Sequence, residues 1–351
     1  MDANTNETQL RKLRLAAVSA LVIIAAALAV RGVIRSDRTK IEMKSSLPES
    51  SSQYIEPSEI EKIDKAAVIA QFTYGEVSQG SADDMLFAHE YAAPKRCLQP
   101  VYNAVFSPDG LQVASLEDTK LLCAAEVVYP LSQMLTGFYQ ETGMRTVMVS
   151  SAYEEPPQNS FAYNDYGEYS YSEATPTAES SGLIIGFSLY EEYKGSREFT
   201  GKGVYDWFTE NCYKYGFMLY SPEGKESITG RDADLTRFRY VGKEAAYILH
   251  ENGACFEELE SCISQLSFDT AEIIEINGRA VMVYAIAADE NGSAQIRLPA
   301  DPEGNPAPFT AYTCGGHYLI CAELQYTPLI ESAATDTASD TSTTADVNTE
   351  D

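Results

Sequence analysis

Residues 215–242 read YGFMLYSPEGKESITGRDADLTRFRYVG. Short alternating apolar runs flank two glycine-containing turns, a pattern that predicts strands joined by tight loops. The stretch is dense in aromatic side chains and looks like the wall of a cleft. It holds no His and no Cys, and its charged centre is DADLTRFR, residues 232–239. A cleft wall of this composition has little with which to grip a metal or attack a substrate.

The flanking sequence supplies the remaining elements. Residues 117–142 carry apolar groups at helical spacing and stop before Gly143, a C-cap residue; Pro130 is expected to kink or split this helix. RTVMVSSAY (145–153) and LIIGFSLY (183–190) read as buried strands. Between them, 155–181 is rich in Pro, Tyr, Ser and acids without Lys or Arg, and reads as a long mobile loop. A short helix is expected within 203–217, with Trp207 and Phe208 packed inward, and another over 242–253, stopped by Gly253. Further on, Asn-Gly pairs at 277–278 and 291–292 each sit between apolar alternating runs, a strong hairpin signal, and a third hairpin is expected at Gly315-Gly316. Residues from about 270 to 326 therefore read as a small antiparallel β module.

The ends differ in character. Leu15–Val30 runs uncharged, and snorkelling of Arg31 and Arg35 extends the apolar span to Ile34, close to the roughly 20 residues that cross a bilayer. Basic residues stand on both sides, so orientation is not set by charge; the N-terminus is placed inside and the acidic bulk outside. The competing reading is a cleaved signal peptide with Ala27-Leu28-Ala29 as its site. Both readings export the chain. A Ser/Glu/Pro-rich stalk follows, and the tail ESAATDTASDTSTTADVNTED (331–351) has too few apolar groups to offset the entropy of ordering. The net charge of −27 over 351 residues excludes nucleic acid as a partner. The apolar fraction of 44 % is enough for a real core. Seven cysteines (97, 123, 212, 255, 262, 314, 321) allow one or two disulfides outside the cell, with no pairing implied and no zinc-ribbon spacing. His89, His250 and His317 are scattered through different elements.

The order of elements, with YGF-L--P-GKE-ITG and RYVGKEAA within 215–246, resembles the zinc-dependent D-alanyl-D-alanine carboxypeptidases of the VanY type, the LAS peptidoglycan peptidases. The resemblance covers roughly residues 85–262. It implies an α+β fold with a central antiparallel sheet and flanking helices, to which the C-terminal antiparallel β module is added. The domain plan that follows is a cytoplasmic 1–14, a transmembrane anchor 15–34, a stalk 35–66, a carboxypeptidase-like domain 67–262, a β-hairpin module 263–328 and a disordered acidic tail 329–351.

In that family, zinc is held by the His and Asp of S-x-H-x-x-G-x-x-x-D and by the His of E-x-W-H-x-R, whose Glu is the general base. Registered on Ser181 and Gly186, the first motif puts Leu183 at the His position and Tyr190 at the Asp position. The second puts Asp234 at the Glu position, Thr236 at the Trp position and Arg237 at the His position, with Arg239 keeping the final Arg. The substrate-carboxylate motif S-x-Y-R-S keeps Ser151 and Tyr153 and has Glu154 in place of its Arg. No His lies between His89 and His250. Zinc needs three protein ligands with lone pairs. An aliphatic chain cannot supply one, and a guanidinium is permanently charged. The resemblance thus implies the fold and the location, with no zinc expected and no catalytic residue retained.

Three readings of function follow. One is a membrane-anchored, extracytoplasmic pseudoenzyme that binds a cell-wall stem peptide through Ser151, Tyr153, Arg237 and Arg239. Set against it, Arg237 and Asp234 form only an exposed ion pair. A second is an envelope scaffold that uses its acidic, Tyr-rich loop FAYNDYGEYSYSE (161–173) to hold a protein partner. A third is an active peptidoglycan carboxypeptidase with an altered site, drawing on Tyr, Asp and Cys side chains of the region, for instance Cys212 near Trp207.

Overall fold

A computed structural model describes residues 63–83, 97–156, 160–163, 169–172, 177–191 and 195–324. The segments read as cytoplasmic terminus, anchor and tail, and nearly all of the stalk, lie outside the described residues. Among the described residues no helix is long and apolar enough to cross a membrane.

The first elements are α1 (Lys65–Ala70), capped by Asp64, whose side chain accepts from the Ala66 amide at 2.9 Å, and β1 (Phe72–Ser78). There follow β2 (Leu98–Pro100), β3 (Ser115–Leu116), β4 (Leu122–Ala124) and α2 (Ala125–Thr142). Helix α2 begins later than its spacing suggested, because 122–124 pairs with β2 instead. It runs unbroken through Pro130. Proline removes a single amide here, and Val127, Leu131, Met134, Leu135 and Phe138 bury one face and hold the helix together. Gly143 closes it at φ 70°, its amide donating to the Tyr139 carbonyl at 2.8 Å.

Strand β5 (Val147–Ser151) leads to a hairpin, β6 (Ser160–Tyr163) and β7 (Tyr169–Ser172), where the composition had suggested a loop without structure. A 3-10 turn at Ala178–Ser181 feeds β8 (Ile184–Glu191), followed by β9 (Gly195–Glu198). Helix α3 (Asp206–Asn211) buries Trp207 and Phe208 as expected. Next come β10 (Phe217–Ser221), the single turn α4 (Glu226–Thr229) and β11 (Asp234–Tyr240), then α5 (Lys243–Glu251) and α6 (Leu259–Ile263). These build a six-stranded sheet in the order β10-β11-β8-β5-β3, with β9 also on β8. It is antiparallel except for the β3–β5 pair. The fold is α+β, with helices flanking this sheet.

The last strands are β12 (Glu272–Ile276), β13 (Arg279–Ala287), β14 (Ser293–Pro299), β15 (Phe309–Cys314) and β16 (His317–Glu323). Asn277-Gly278 is a hairpin turn, both residues at positive φ, as is the Gly315-Gly316 connection. Asn291-Gly292 is not. There Asp289 accepts from the Asn291 and Ser293 amides, and β14 leaves its sequence neighbour to pair with β1, from Phe72↔Pro299 to Ser78↔Ser293. Strand β14 thereby ties the described part of this stretch, which ends at residue 324, to 72–78. The described residues between 63 and 324 belong to one compact unit.

The four-stranded sheet β12-β13-β16-β15 is covered on both faces. Val281, Val283, Leu319 and Cys321 join the main core, while Met282, Tyr284, Tyr318 and Ile320 join a second core under β1, β14 and α1. This is why RAVMVYAIA is nearly all apolar, where a sheet with one wet face would alternate. All seven cysteines are free thiols, and none of the disulfides that the sequence allows is formed. Five of them are buried as small apolar side chains in the packing.

Candidate functional site

Strand parity decides what β8 can offer. Leu183, Ile185, Phe187 and Leu189 point into the main core. Ile184, Gly186, Ser188 and Tyr190 therefore share the opposite face. Leu183 is 1 % exposed, and Tyr190, at the far end of the strand, is 42 % exposed. The two positions fall on opposite faces and do not converge on Arg237.

Another residue does. In register, Arg237 of β11 sits opposite Gly186 of β8. Arg237 Nε donates to Asp234 Oδ2 at 2.6 Å, and Nη1 donates to Glu179 Oε1 at 2.8 Å. Glu179 comes from the 3-10 turn before β8, whose C-cap Gly182 is left-handed at φ 69° and donates its amide to the Glu179 carbonyl at 3.0 Å. Setting the motif S-x-H-x-x-G-x-x-x-D on Gly182 rather than Gly186 places Glu179 at the His position and Gly186 at the Asp position. That is the register the geometry brings together, four places from the one centred on Leu183 and Tyr190. Glu179 and Gly182 were visible in the sequence at the right spacing, but the SG-LIIG stretch offers two glycines, and only the pairing with β11 distinguishes them.

Asp234 is held tightly. The Thr236 hydroxyl and amide both donate to its Oδ1, at 2.6 and 2.8 Å. Burial raises its pKa, and the Thr236 donors and the Arg237 guanidinium outweigh that and hold the carboxyl below the usual carboxylate range. Arg237 and Asp234 are thus a partly buried pair with a third member, not the exposed pair considered from sequence. Two carboxylates and one guanidinium leave a formal charge of −1.

The floor beneath is packed. Tyr220, 6 % exposed, carries the Arg231 guanidinium 4.0 Å from its ring centre and that of Arg237 at 5.5 Å. Arg231 also donates to Ser221 Oγ, to the Tyr220 carbonyl and to Glu257. Arg239, 1 % exposed, lies 3.8 Å over the Phe256 ring. It is a buried part of the floor, out of reach of a ligand on the surface. Ser151 stands beside Gly186, where a Cβ would come 2.2 Å from the Ser151 hydroxyl. Tyr153 is half-buried on the loop after β5, its amide on the Leu122 carbonyl. Cys212 is buried, and its thiol is pushed up to about 12 by burial, which leaves it inert as a nucleophile.

A catalytic zinc does not fit this donor set. The residues that meet are a carboxylate, a glycine and a permanent cation already engaged by two acids. Among the described residues no group of three or more His, Cys, Asp or Glu is placed to hold a metal ion.

No family model matches the chain. It is similar in sequence to a D-alanyl-D-alanine carboxypeptidase of Enterococcus faecium, 26 % identical over 183 residues, 52 % of this chain and 57 % of that protein. A D-alanyl-D-alanine carboxypeptidase of Enterococcus faecalis is 44 % identical over 59 residues, 17 % of this chain and 22 % of that one. The chain thus spans less than two thirds of the length of either relative. Among solved structures, the vancomycin-resistance D,D-dipeptidase VanXYg, in complex with a D-Ala-D-Ala phosphinate analogue, aligns over 72 % of this chain and 99 % of its own, with 17 % identity and a TM-score of 0.48. The chain resembles the D-alanyl-D-alanine carboxypeptidases of the VanY type.

Proposed function

We propose that the chain binds the D-Ala-D-Ala end of a peptidoglycan stem peptide without hydrolysing it, and without zinc. The reading puts the folded part outside the cytoplasm, held by the apolar segment 15–34. Likeness to D-alanyl-D-alanine carboxypeptidases supports the ligand class. The observation that carries the rest is Arg237, bridging Glu179 and Asp234 from the position where the family's motif has a histidine.

A guanidinium offers five N–H donors. Glu179 and Asp234 take donors on Nη1 and Nε, and among the described residues Nη2 makes no ion pair. Nη2 is the group we assign to the peptide's terminal carboxylate, a charge-assisted contact where the zinc enzymes would place a metal-bound water. Ser151, on the same face beside Gly186, is a second polar contact.

Titration of the purified protein with a pentapeptide ending in D-Ala-D-Ala tests this. Saturable binding is expected, with no release of D-Ala whether or not zinc is added. Arg237→Ala is expected to weaken binding by roughly 10- to 100-fold, the loss of one charged hydrogen bond. Release of D-Ala that a chelator abolishes would restore the hydrolase reading.

A further inference from the structure

A second feature lies on the same face of the six-stranded sheet, away from Arg237. A pocket of about 500 Å³ opens where β3, β5 and the far end of β8 meet, and Tyr190 and Met148 both line it. Met148 is in register with Ser188 on one side and Ser115 on the other, so the pocket sits on the sheet face that Gly186 and Arg237 share. From Gly186 to Tyr190 is four residues of strand, about 13 Å.

The lining has a definite chemistry. Tyr102 and Tyr190 are 50 % and 42 % exposed, large aromatic surfaces left to solvent at a concave site. Tyr102 is held in place edge-on to Phe106, at 5.1 Å between ring centres. The floor is apolar, with Leu116 and Met148. The rim carries neutral donors and acceptors: the Gln112 amide and the Thr119 hydroxyl among them. Gln112 is steadied by its Nε2 donating to the Ala114 carbonyl at 3.1 Å, which leaves its Oε1 to accept. Among the described residues Glu117 is the one charged group of the lining, and no Lys or Arg joins it there, so the described lining offers phosphates and carboxylates no cation to pair with.

Aromatic faces over an apolar floor, ringed by amides and hydroxyls, suit a neutral ligand with one C–H face and many hydroxyls. We infer that this pocket is a saccharide subsite, holding the glycan part of the same polymer whose peptide end lies at Arg237. The inference rests on the stem-peptide reading for the identity of the polymer. A cation, for which two rings and one carboxylate would also be a partner, is the competing ligand, and the uncharged polar groups of Gln112, Ser115, Thr119 and Ser196, which outnumber the single carboxylate of Glu117, favour the saccharide.

The test uses the full chain and two probes, a β-1,4 tetramer of N-acetylglucosamine free of peptide, and the D-Ala-D-Ala pentapeptide free of sugar. The tetramer is expected to bind saturably. Tyr190→Ala and Tyr102→Ala are each expected to weaken it about fivefold or more, the loss of an aromatic contact, while Tyr190→Phe keeps it and both alanine variants keep the pentapeptide. Absence of tetramer binding, tetramer binding unchanged in Tyr190→Ala, or a lysine-rich peptide that competes for the tyrosines would overturn the subsite. Pentapeptide binding without tetramer binding overturns only this inference. Tetramer binding that the tyrosine variants lose, with no pentapeptide binding, leaves the subsite standing and overturns the stem-peptide function.

Discussion

Arg237 draws two acids from different parts of the chain onto one strand. Glu179 lies before β8 and Asp234 at the start of β11, so the guanidinium ties the turn to the sheet. Its removal leaves two carboxylates close together and partly buried. The Arg237 side chain is 35 % exposed, which screens the effect well below that of a fully buried pair. Arg237→Ala is expected to cost about 1–2 kcal/mol in urea unfolding, and Arg237→Met combined with Glu179→Gln and Asp234→Asn less, because no unpaired charge remains. A triple variant that is no better than the single one would contradict this. The same cluster predicts an acid response. The Asp234 carboxyl sits below the usual range when folded, so its folded pKa is lower than its unfolded value of about 3.9. Its contribution is complete above the unfolded pKa and is lost as pH falls through the folded one. Between about pH 5 and pH 2 the stability gap between the native chain and Asp234→Asn should close; parallel curves would show that the Arg237 and Thr236 contacts do not form in solution. Arg237 and Asp234 were legible in the sequence because RYVGKEAA fixes their register. Leu183 and Tyr190 lie on opposite faces of β8 and do not meet Arg237, and a motif with two candidate glycines has two registers. The pairing of Arg237 with Gly186, which chooses between them, is a contact between strands that no local pattern encodes.

Single turns carry much of the accuracy of the site. Gly182 is left-handed, and a Cβ there would stand 2.9 Å from the Ala124 amide nitrogen, the group that donates to the Gly182 carbonyl at the entry to α2. Gly110 is also left-handed at φ 81°, with nothing within 4 Å of its Cβ direction. Gly110→Ala should cost only the conformational strain, about 1 kcal/mol. Gly182→Ala adds a backbone collision and should cost roughly 2–3 kcal/mol, and because Glu179 hangs on the same turn, pentapeptide affinity should fall with it. Equal thermal midpoints for the two variants would remove Gly182 from the positioning of the site. The turns also mark how far local signals reach. Asn277-Gly278 makes the hairpin that its dipeptide suggests, its backbone at φ 56° and 76°. Asn291-Gly292 has the same letters, but Asp289 caps the loop from the side and sends β14 to a partner elsewhere. The dipeptide encodes a reversal of direction, and what the next strand pairs with is decided by burial. Pro130 teaches the same point for helices, since the packed face of α2 outweighs one missing hydrogen bond.

At the scale of the molecule, the second core is closed by the earliest part of the described chain. Val68 of α1 and Val77 of β1 are each 1 % exposed and pack with Ile296, Leu298 and Tyr284. Their order in the sequence gives no hint of this, because the partner strand β14 lies near the other end of the chain. Fully burying two valines is worth about 3–6 kcal/mol, and pairing β1 also covers the β14 edge, which would otherwise be open to association. Against a total stability of roughly 5–15 kcal/mol, that is a large share. A chain beginning at residue 84 should therefore melt well below one beginning at residue 63, and aggregate on heating where the longer one unfolds reversibly. Coincident melts would mean that α1 and β1 add nothing to the cooperative unit. The same arithmetic bears on the site. The four-stranded sheet shares its other face with the main core through Val281, Val283 and Leu319, so loosening the second core should reach α5 and, through it, the floor that holds Arg239 and Phe256. Shortening the chain should thus lower pentapeptide affinity as well as the melting temperature, even though no residue before 97 is assigned to the site; an unchanged affinity in the shortened chain would show that the two cores act independently.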